Sequence, residues 1–301
     1  ALTFAVPHTH AQTPDTEFTI ITYNVQFLPG MASVANKRKQ PEYRAQRIAE
    51  EVAGYDIVCL QETFHEAHRP ILVDILQERW NGAGNLVIAP KPEGFYANGG
   101  TLIATRYPIV ESHSFVYTQF STPEEYGINA DGYSAKGVIH ARLQLPGDRL
   151  LDVFNTHLEA REPKFRPSQI RELADFIATH SDPAIPALLV GDMNTNGVRY
   201  ELDNVESPYN HLLNELRRSR PDCEVQDLWP LLHPDSHGGT SEQESTDIGK
   251  RIDYILVLQP KEEDTALTPI SVRVETYPDE QVEYLSDHNA VVARLKFASP
   301  N

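Results

Sequence analysis

Cysteine is nearly absent from this 301-residue chain, which has only Cys59 and Cys223. Two thiols allow one bridge at most, so no disulfide framework can carry the fold. Cys59 lies in the apolar run Asp56-Ile57-Val58-Cys59-Leu60 and reads as a buried free thiol. Positive charge is also scarce: 26 Lys and Arg stand against 43 Asp and Glu, a net charge of −17. Duplex binding is driven by cationic side chains displacing counterions, so this balance disfavours a broad nucleic-acid groove. It leaves room for a local basic patch or for recruited divalent cations. Long apolar runs are missing too; nothing approaches the roughly 18–20 residues a bilayer-spanning helix needs. The chain is expected to be soluble or peripheral to a membrane. With no repeat of fixed period and no low-complexity tract, one domain over residues 17–301 is the simplest organisation.

What is present is a sequence apolar enough, at 40% hydrophobic residues, to bury a sizeable core. Residues 1–12, ALTFAVPHTHAQ, resemble the apolar end and small-residue cleavage region of a secretory signal peptide. Residues 1–16 therefore read as an N-terminal extension, with secreted or periplasmic location expected and a disordered tail as the alternative. Helical spacing appears in four sets: Ala45, Ile48, Ala49, Val52 and Ala53; Ile71, Leu72, Ile75 and Leu76; Ile170, Leu173, Ala174 and Ile177; Tyr209, Leu212, Leu213 and Leu216. Strand-like runs fall at residues 18–27, 56–61, 101–105, 137–145, 150–156, 187–190, 251–258 and 290–297. Continuous apolar strands mixed with alternating ones suggest sheets covered by helices, a layered α/β fold. The polar stretch 234–250 reads as a loop.

Polar residues recur at strand ends: Asn24, Glu62, His157, Asp192, Asn194, Asp253, Asp287 and His288. Singly, each has a structural explanation as a turn, a cap or a satisfied interior histidine. Together, four carboxylates, two amides and two histidines on separate apolar strands are hard to explain by packing. Loops at strand ends are where α/β sheets gather active sites. The set suits metal-assisted phosphoryl chemistry, which needs a base for water, donors for phosphoryl oxygens and charge to meet the leaving oxygen. Mg²⁺ takes oxygen ligands and usually one or two carboxylates, which suits Glu62 with Asn24 nearby.

The ordered motifs Thr22-Tyr23-Asn24-Val25, Leu60-Gln61-Glu62, Thr156-His157, Gly191-Asp192-Met193-Asn194, Asp253-Tyr254-Ile255 and Ser286-Asp287-His288 resemble the endonuclease/exonuclease/phosphatase superfamily across residues 22–295. The resemblance implies a four-layer α/β sandwich, two mixed and mostly antiparallel sheets flanked by helices. It further implies Glu62 as principal metal ligand with Asn24 as metal-site partner, and His157 and Asn194 as donors to the phosphate. Asp192, Asp287 and His288 take the water and base roles, with Asp253 orienting the histidine. Which group removes the proton stays open. Mg²⁺ is the expected cofactor, with Mn²⁺ or Co²⁺ as substitutes.

Within that superfamily, Asp131-Gly-Tyr-Ser-Ala-Lys136-Gly137 is similar to the D-x-x-x-x-K-G segment of neutral sphingomyelinases. This implies Lys136 and Asp131 as substrate-binding residues, with Lys136 adding positive charge to the phosphate or pairing with Asp131. A Gly-containing turn with a solvated lysine is the bland alternative. Leu158-Glu159-Ala160 departs from the Gln-containing pattern of that branch, and its disulfides are missing. The aromatics Phe115, Tyr117, Phe120 and Tyr126 would seat in a lipid interface or pack within the strand. The expected function is a phospholipase C-type phosphodiesterase acting on sphingomyelin or a related phospholipid at a membrane surface, as a monomer. A nuclease or phosphomonoesterase of the same superfamily is the alternative, followed by a noncatalytic membrane-binding module.

Overall fold

The apolar runs become the centres of two sheets. The computed structural model describes residues 17–29, 32, 39–241, 249–261 and 266–298. The extension over residues 1–16 lies outside these, as do residues 242–248 of the polar loop. In chain order the strands are β1 (Glu17–Asn24), β2 (Ile57–Gln61), β3 (Asn85–Ile88), β4 (Leu102–Thr105), β5 (Ile109–Val116), β6 (Gly137–Leu145), β7 (Arg149–His157) and β8 (Ala187–Asp192). They continue as β9 (Cys223–Asp227), β10 (Asp253–Pro260), β11 (Leu267–Glu275), β12 (Pro278–Asp279), β13 (Glu283–Tyr284) and β14 (Ala290–Phe297). One sheet has the order β11-β14-β1-β2-β4-β3 and the other β5-β6-β7-β8-β10-β9. Each is antiparallel except for one parallel pair, β1 with β2 and β7 with β8.

Four longer helices cover the outer faces. Helices α1 (Pro41–Val52) and α2 (His68–Arg79) pack on the first sheet, and α3 (Arg166–His180) and α4 (Pro208–Ser219) on the second. Each turns the spacing read from sequence toward its sheet, with Ile71 and Ile75 of α2 only partly buried; α1, for instance, hides Ala45, Ile48, Ala49 and Val52. Proline at the first turn and Ser207, whose hydroxyl accepts from the Asn210 amide at 3.1 Å, start α4. A third apolar cluster, including Ile20, Cys59, Ile139, Val153, Val190 and Ile255, fills the space between the sheets. The layers are thus helix, sheet, sheet, helix, as the resemblance implies.

Besides the small β12–β13 pair, four strands of the two large sheets do not appear among the runs read from sequence: β3, β5, β9 and β11. All four are sheet edges. An edge strand buries less of each side chain, so β5 reads Ile-Val-Glu-Ser-His-Ser-Phe-Val with alternating partial exposure. Strand β11 carries Pro269 beside a register shift, where a missing ladder donor is tolerated. Both cysteines are free and buried, Cys59 in β2 and Cys223 in β9. No helix of the described residues is long and apolar enough to cross a membrane.

A polar bridge crosses the inter-sheet core. Gln61 donates to Asn155 at 2.8 Å and to Thr22 at 3.0 Å, and Asn155 in turn donates to the carbonyls of Leu60 at 3.0 Å and Leu102 at 2.9 Å. It lies one residue below Glu62 on one sheet and two below His157 on the other, so it fixes the height at which the two rims meet. Asn155→Leu removes a donor from two buried carbonyls and an acceptor from the Gln61 amide, which keeps Thr22, at about 1–3 kcal/mol for each group left unmet. Urea denaturation should show the midpoint falling accordingly; an unchanged midpoint would mean the bridge is not structural.

Candidate active site

The two parallel pairs deliver their carboxyl ends to the same rim. Asn24 ends β1, opposite Gln61 at the end of β2, with Glu62 next in the chain. On the second sheet His157 pairs in register with Asp192, and Asp192 pairs in turn with Asp253 at the start of antiparallel β10. Asp287 and His288 enter from the segment just before β14. Gly191 permits the close approach of β7 and β8: its φ is 129°, and a Cβ there would sit 2.0 Å from the Thr156 carbonyl oxygen. Glu62 and Asn194 adopt left-handed backbone at φ 57° and 46°, rare for residues with side chains and common where function demands a particular aim.

All ten residues singled out from sequence come together here. The Asn24 amide nitrogen donates to Glu62 Oε1 at 3.1 Å and to Asp192 Oδ2 at 3.0 Å, while its oxygen accepts from the Gln26 backbone at 3.1 Å. In this orientation Asn24 steadies two carboxylates and turns its oxygen aside. Lys136 is buried and donates to Asp131 Oδ2 at 2.6 Å, His157 Nε2 at 3.1 Å and the Leu158 carbonyl at 3.2 Å. An ammonium only donates, so His157 accepts through Nε2 and carries its proton on Nδ1. The Asn194 side chain donates to the Leu158 carbonyl at 3.1 Å, and its backbone amide to Asp192 Oδ1 at 2.9 Å. His288 Nδ1 lies 2.9 Å from Asp253 Oδ2, and its Nε2 lies 3.8 Å from Asp192 Oδ2.

Four carboxylates so close together cannot all be comfortable. Burial and the neighbouring Asp287 push the Glu62 carboxyl up to about 7, and burial with Asp253 pushes Asp192 up to about 6. Burial pulls the His288 imidazole down, but Asp253, Asp192 and Asp287 outweigh it and hold the ring well above its usual range. Burial, Lys136 and His288 hold His157 well below, keeping it neutral. For Asp131, burial pulls upward, but Lys136 and the Ala160 amide at 2.6 Å leave it below the usual carboxylate range.

These side chains fit a divalent cation. Glu62 Oε2 and Asp253 Oδ1 are buried without a hydrogen-bond partner, which for a carboxylate oxygen is costly unless a cation meets it. Glu62 is the natural holder, and Asp192, Asp253 and His288 form a second set of donors whose atoms lie within 4.8 Å of one another.

Several supporting residues escaped the sequence reading. Arg44, fully buried in α1, donates to the Leu285 carbonyl at 2.7 Å and to the carbonyls of Val25 and Gln26, clamping the loops that carry Asn24 and Asp287. Its signal was a charge beside the apolar face of an amphipathic helix. Gln26 donates to Asp287. Glu159, at the departure from the sphingomyelinase pattern, is buried and accepts from the Ser121 amide at 3.1 Å and hydroxyl at 2.8 Å. It anchors the loop that bears Asp131, itself bonded through its amide to the Ser121 hydroxyl.

The solvated lysine considered from sequence is therefore replaced by a buried ion pair. Removing one partner of such a pair leaves an uncompensated charge, so Lys136→Ala should destabilise the fold by on the order of 3 kcal/mol. Asp131→Asn combined with Lys136→Met should recover most of that loss in chemical denaturation. A double variant as unstable as Lys136→Ala would show that the lysine's other contacts dominate.

Comparison with known proteins agrees with this architecture. The chain is 28% identical over 193 residues to Sphingomyelinase C of Bacillus cereus, an alignment covering 58% of this chain and 55% of that protein. It therefore spans little more than half the length of that curated relative. Among solved structures it is similar in fold to a Staphylococcus aureus beta toxin variant with bound magnesium ions, at 17% identity and a TM-score of 0.66, covering 92% of this chain and 99% of the other. It is also similar to D. rerio TDP2 complexed with single-strand DNA product, at 18% identity and a TM-score of 0.64, covering 94% and 100%. The profile of the Endonuclease/Exonuclease/phosphatase family matches residues 21–288, and the chain belongs to that family.

Proposed function

We propose that the chain is a divalent-metal-dependent phosphodiesterase that cleaves sphingomyelin or a related choline phospholipid in the phospholipase C manner, with export as part of that reading. The observation that carries it is the Asp131–Lys136–His157 contact: it sets a buried cation beside the carboxylate cluster, in the segment that resembles neutral sphingomyelinases. The kinship with Sphingomyelinase C supports the same substrate class.

Hydrolysis forms a bond from water oxygen to phosphorus and breaks the bond from phosphorus to the lipid backbone oxygen. Lys136 offers positive charge to a phosphoryl oxygen. Asp253 fixes the His288 ring so that Nε2 faces Asp192, and this pair is placed to handle the protons of the reaction. The carboxylates around His288 favour its protonated form, a donor to the phosphoryl or leaving oxygen, and Asp192, pushed up to about 6 and ionised above it, is the group that takes the proton from water. A Mg²⁺ ion held by Glu62, with Mn²⁺ or Co²⁺ as substitutes, would supply charge stabilisation for the phosphoryl and leaving oxygens.

His288→Ala should lower kcat by about 100-fold or more while the fold persists. A mild loss would leave the proton transfers to Asp192 alone. The substrate is tested by comparing sphingomyelin, phosphatidylcholine and single-stranded DNA with Mg²⁺ and with chelator; turnover of DNA alone would overturn the lipid assignment.

Cation binding also has a signature independent of turnover. A carboxyl raised to about 7 binds its proton more tightly in the folded than in the unfolded chain. Its contribution to stability is therefore lost as pH rises from the ordinary carboxylate range to about 7. A cation at Glu62 removes that penalty, so Mg²⁺ should raise Tm more at high pH than at low pH. Glu62→Gln should abolish most of the difference; equal shifts at both pH values would place the ion elsewhere.

A further inference from the structure

Large apolar side chains are exposed at scattered positions over most of the described surface, but three gather on two loops bordering the active site. Ile128 is 91% exposed, Tyr96 62% and Tyr133 38%. The loops are joined: the amides of Tyr96 and Ala97 both donate to the Tyr133 carbonyl at 3.0 Å. Beneath them Phe95 and Phe120 pack with ring centres 5.7 Å apart, and Phe120 fills the space over Gly132, where a Cβ would meet the ring at 2.7 Å. This half-buried pair gives the exposed side chains a packed base. At one border Lys164 lies over the rings of Tyr126 and Phe165, at 5.1 and 5.0 Å.

Both loops lead directly into the site. Three residues after Ile128 comes Asp131, which holds Lys136, and four residues after Tyr96 comes Gly100, packed against Phe64, whose ring lies 6.4 Å from that of His157. Of the strand aromatics considered from sequence, Tyr117 is buried in the core and half-buried Phe115 packs against that core.

We propose that Tyr96, Ile128 and Tyr133 form a face that docks on a zwitterionic phospholipid surface and sets the active site over the headgroups; this rests on the proposed lipid-hydrolase reading. Amphipathic tyrosine rings suit the headgroup level, and an isoleucine reaches the acyl boundary. The net charge of −17 opposes approach to an anionic bilayer, so apolar insertion rather than a polybasic patch carries the attachment. Lys164, its stem along two rings, has the amphipathic character of a residue that lays an apolar stem against the interface with its ammonium at phosphate level.

The test is cosedimentation with sucrose-loaded phosphatidylcholine–sphingomyelin vesicles in chelator, so that binding is read without turnover. The whole chain should bind these vesicles, and less well when phosphatidylserine is added. Tyr96→Ser combined with Ile128→Ser should weaken binding about tenfold or more, whereas Val110→Ser, exposed at the far end of β5, should not. With Mg²⁺ present, the double variant should lose vesicle hydrolysis in parallel while cleaving soluble nitrophenyl phosphocholine at the wild-type rate. Equal vesicle binding by the double variant, no binding by the wild type, or loss of a self-associated dimer in the double variant by sedimentation velocity would each overturn the docking face. Patch-dependent vesicle binding without cleavage of any choline diester would keep the docking face and overturn the hydrolase reading instead.

Discussion

Everything at the rim is organised by the mutual repulsion of Glu62, Asp192, Asp253 and Asp287. In water four carboxylates at this spacing would move apart. Here each is held by a different strand end, and the strands are locked by register: His157 opposite Asp192, Asp192 opposite Asp253, Asn24 opposite Gln61. The repulsion is moderated by nearby donors rather than removed. Asn24 spans Glu62 and Asp192, Gln26 holds Asp287, and His288 sits between Asp253 and Asp192. What persists is a concentrated negative potential with two orphaned carboxylate oxygens, an arrangement that favours a small hard cation over any organic ligand.

Lys136 works within this field and is not neutralised by it. Its partner Asp131 stands five residues earlier on the same loop, which Glu159 ties back to the exit of β7 through Ser121. The lysine thus faces the site with its charge balanced from behind, leaving the acidic cluster free for metal. A neutral His157 lies between the two regions and transmits contact from one to the other without adding charge. The Lys136 ammonium and Asp192 Oδ2 meet at the same ring nitrogen, His157 Nε2, at 3.1 and 3.4 Å, so the cationic and anionic regions adjoin at this one atom.

Much of this was legible in the sequence, for a physical reason. Interior strands are buried on both faces, so they read as apolar runs, and a polar residue at the end of such a run stands out; that contrast marked Asn24, Glu62, His157, Asp192 and Asp253. Edge strands lack the contrast, and β3, β5, β9 and β11 went unread. Side chains that act through backbone carbonyls were equally hidden. Arg44 sits in an ordinary amphipathic helix, and only the fold reveals that its guanidinium reaches Leu285, far away in sequence. Lys136 was read as either solvated or functional because seven residues of local sequence say nothing about burial. The left-handed backbone at Glu62 and Asn194 likewise has no compositional mark, as neither is glycine.

The clamp made by Arg44 has a bearing on biogenesis. It joins the first strand's exit, at Val25 and Gln26, to Leu285, just ahead of the strand that inserts between β1 and β11. Glu62 and Asn24 are translated early, His288 late. A nascent chain halted before Asp287 has β1 without its antiparallel neighbour and lacks both the histidine and one of the four carboxylates. No partial product can therefore carry a working site, and the chemistry is switched on by the closing of the last interior strand.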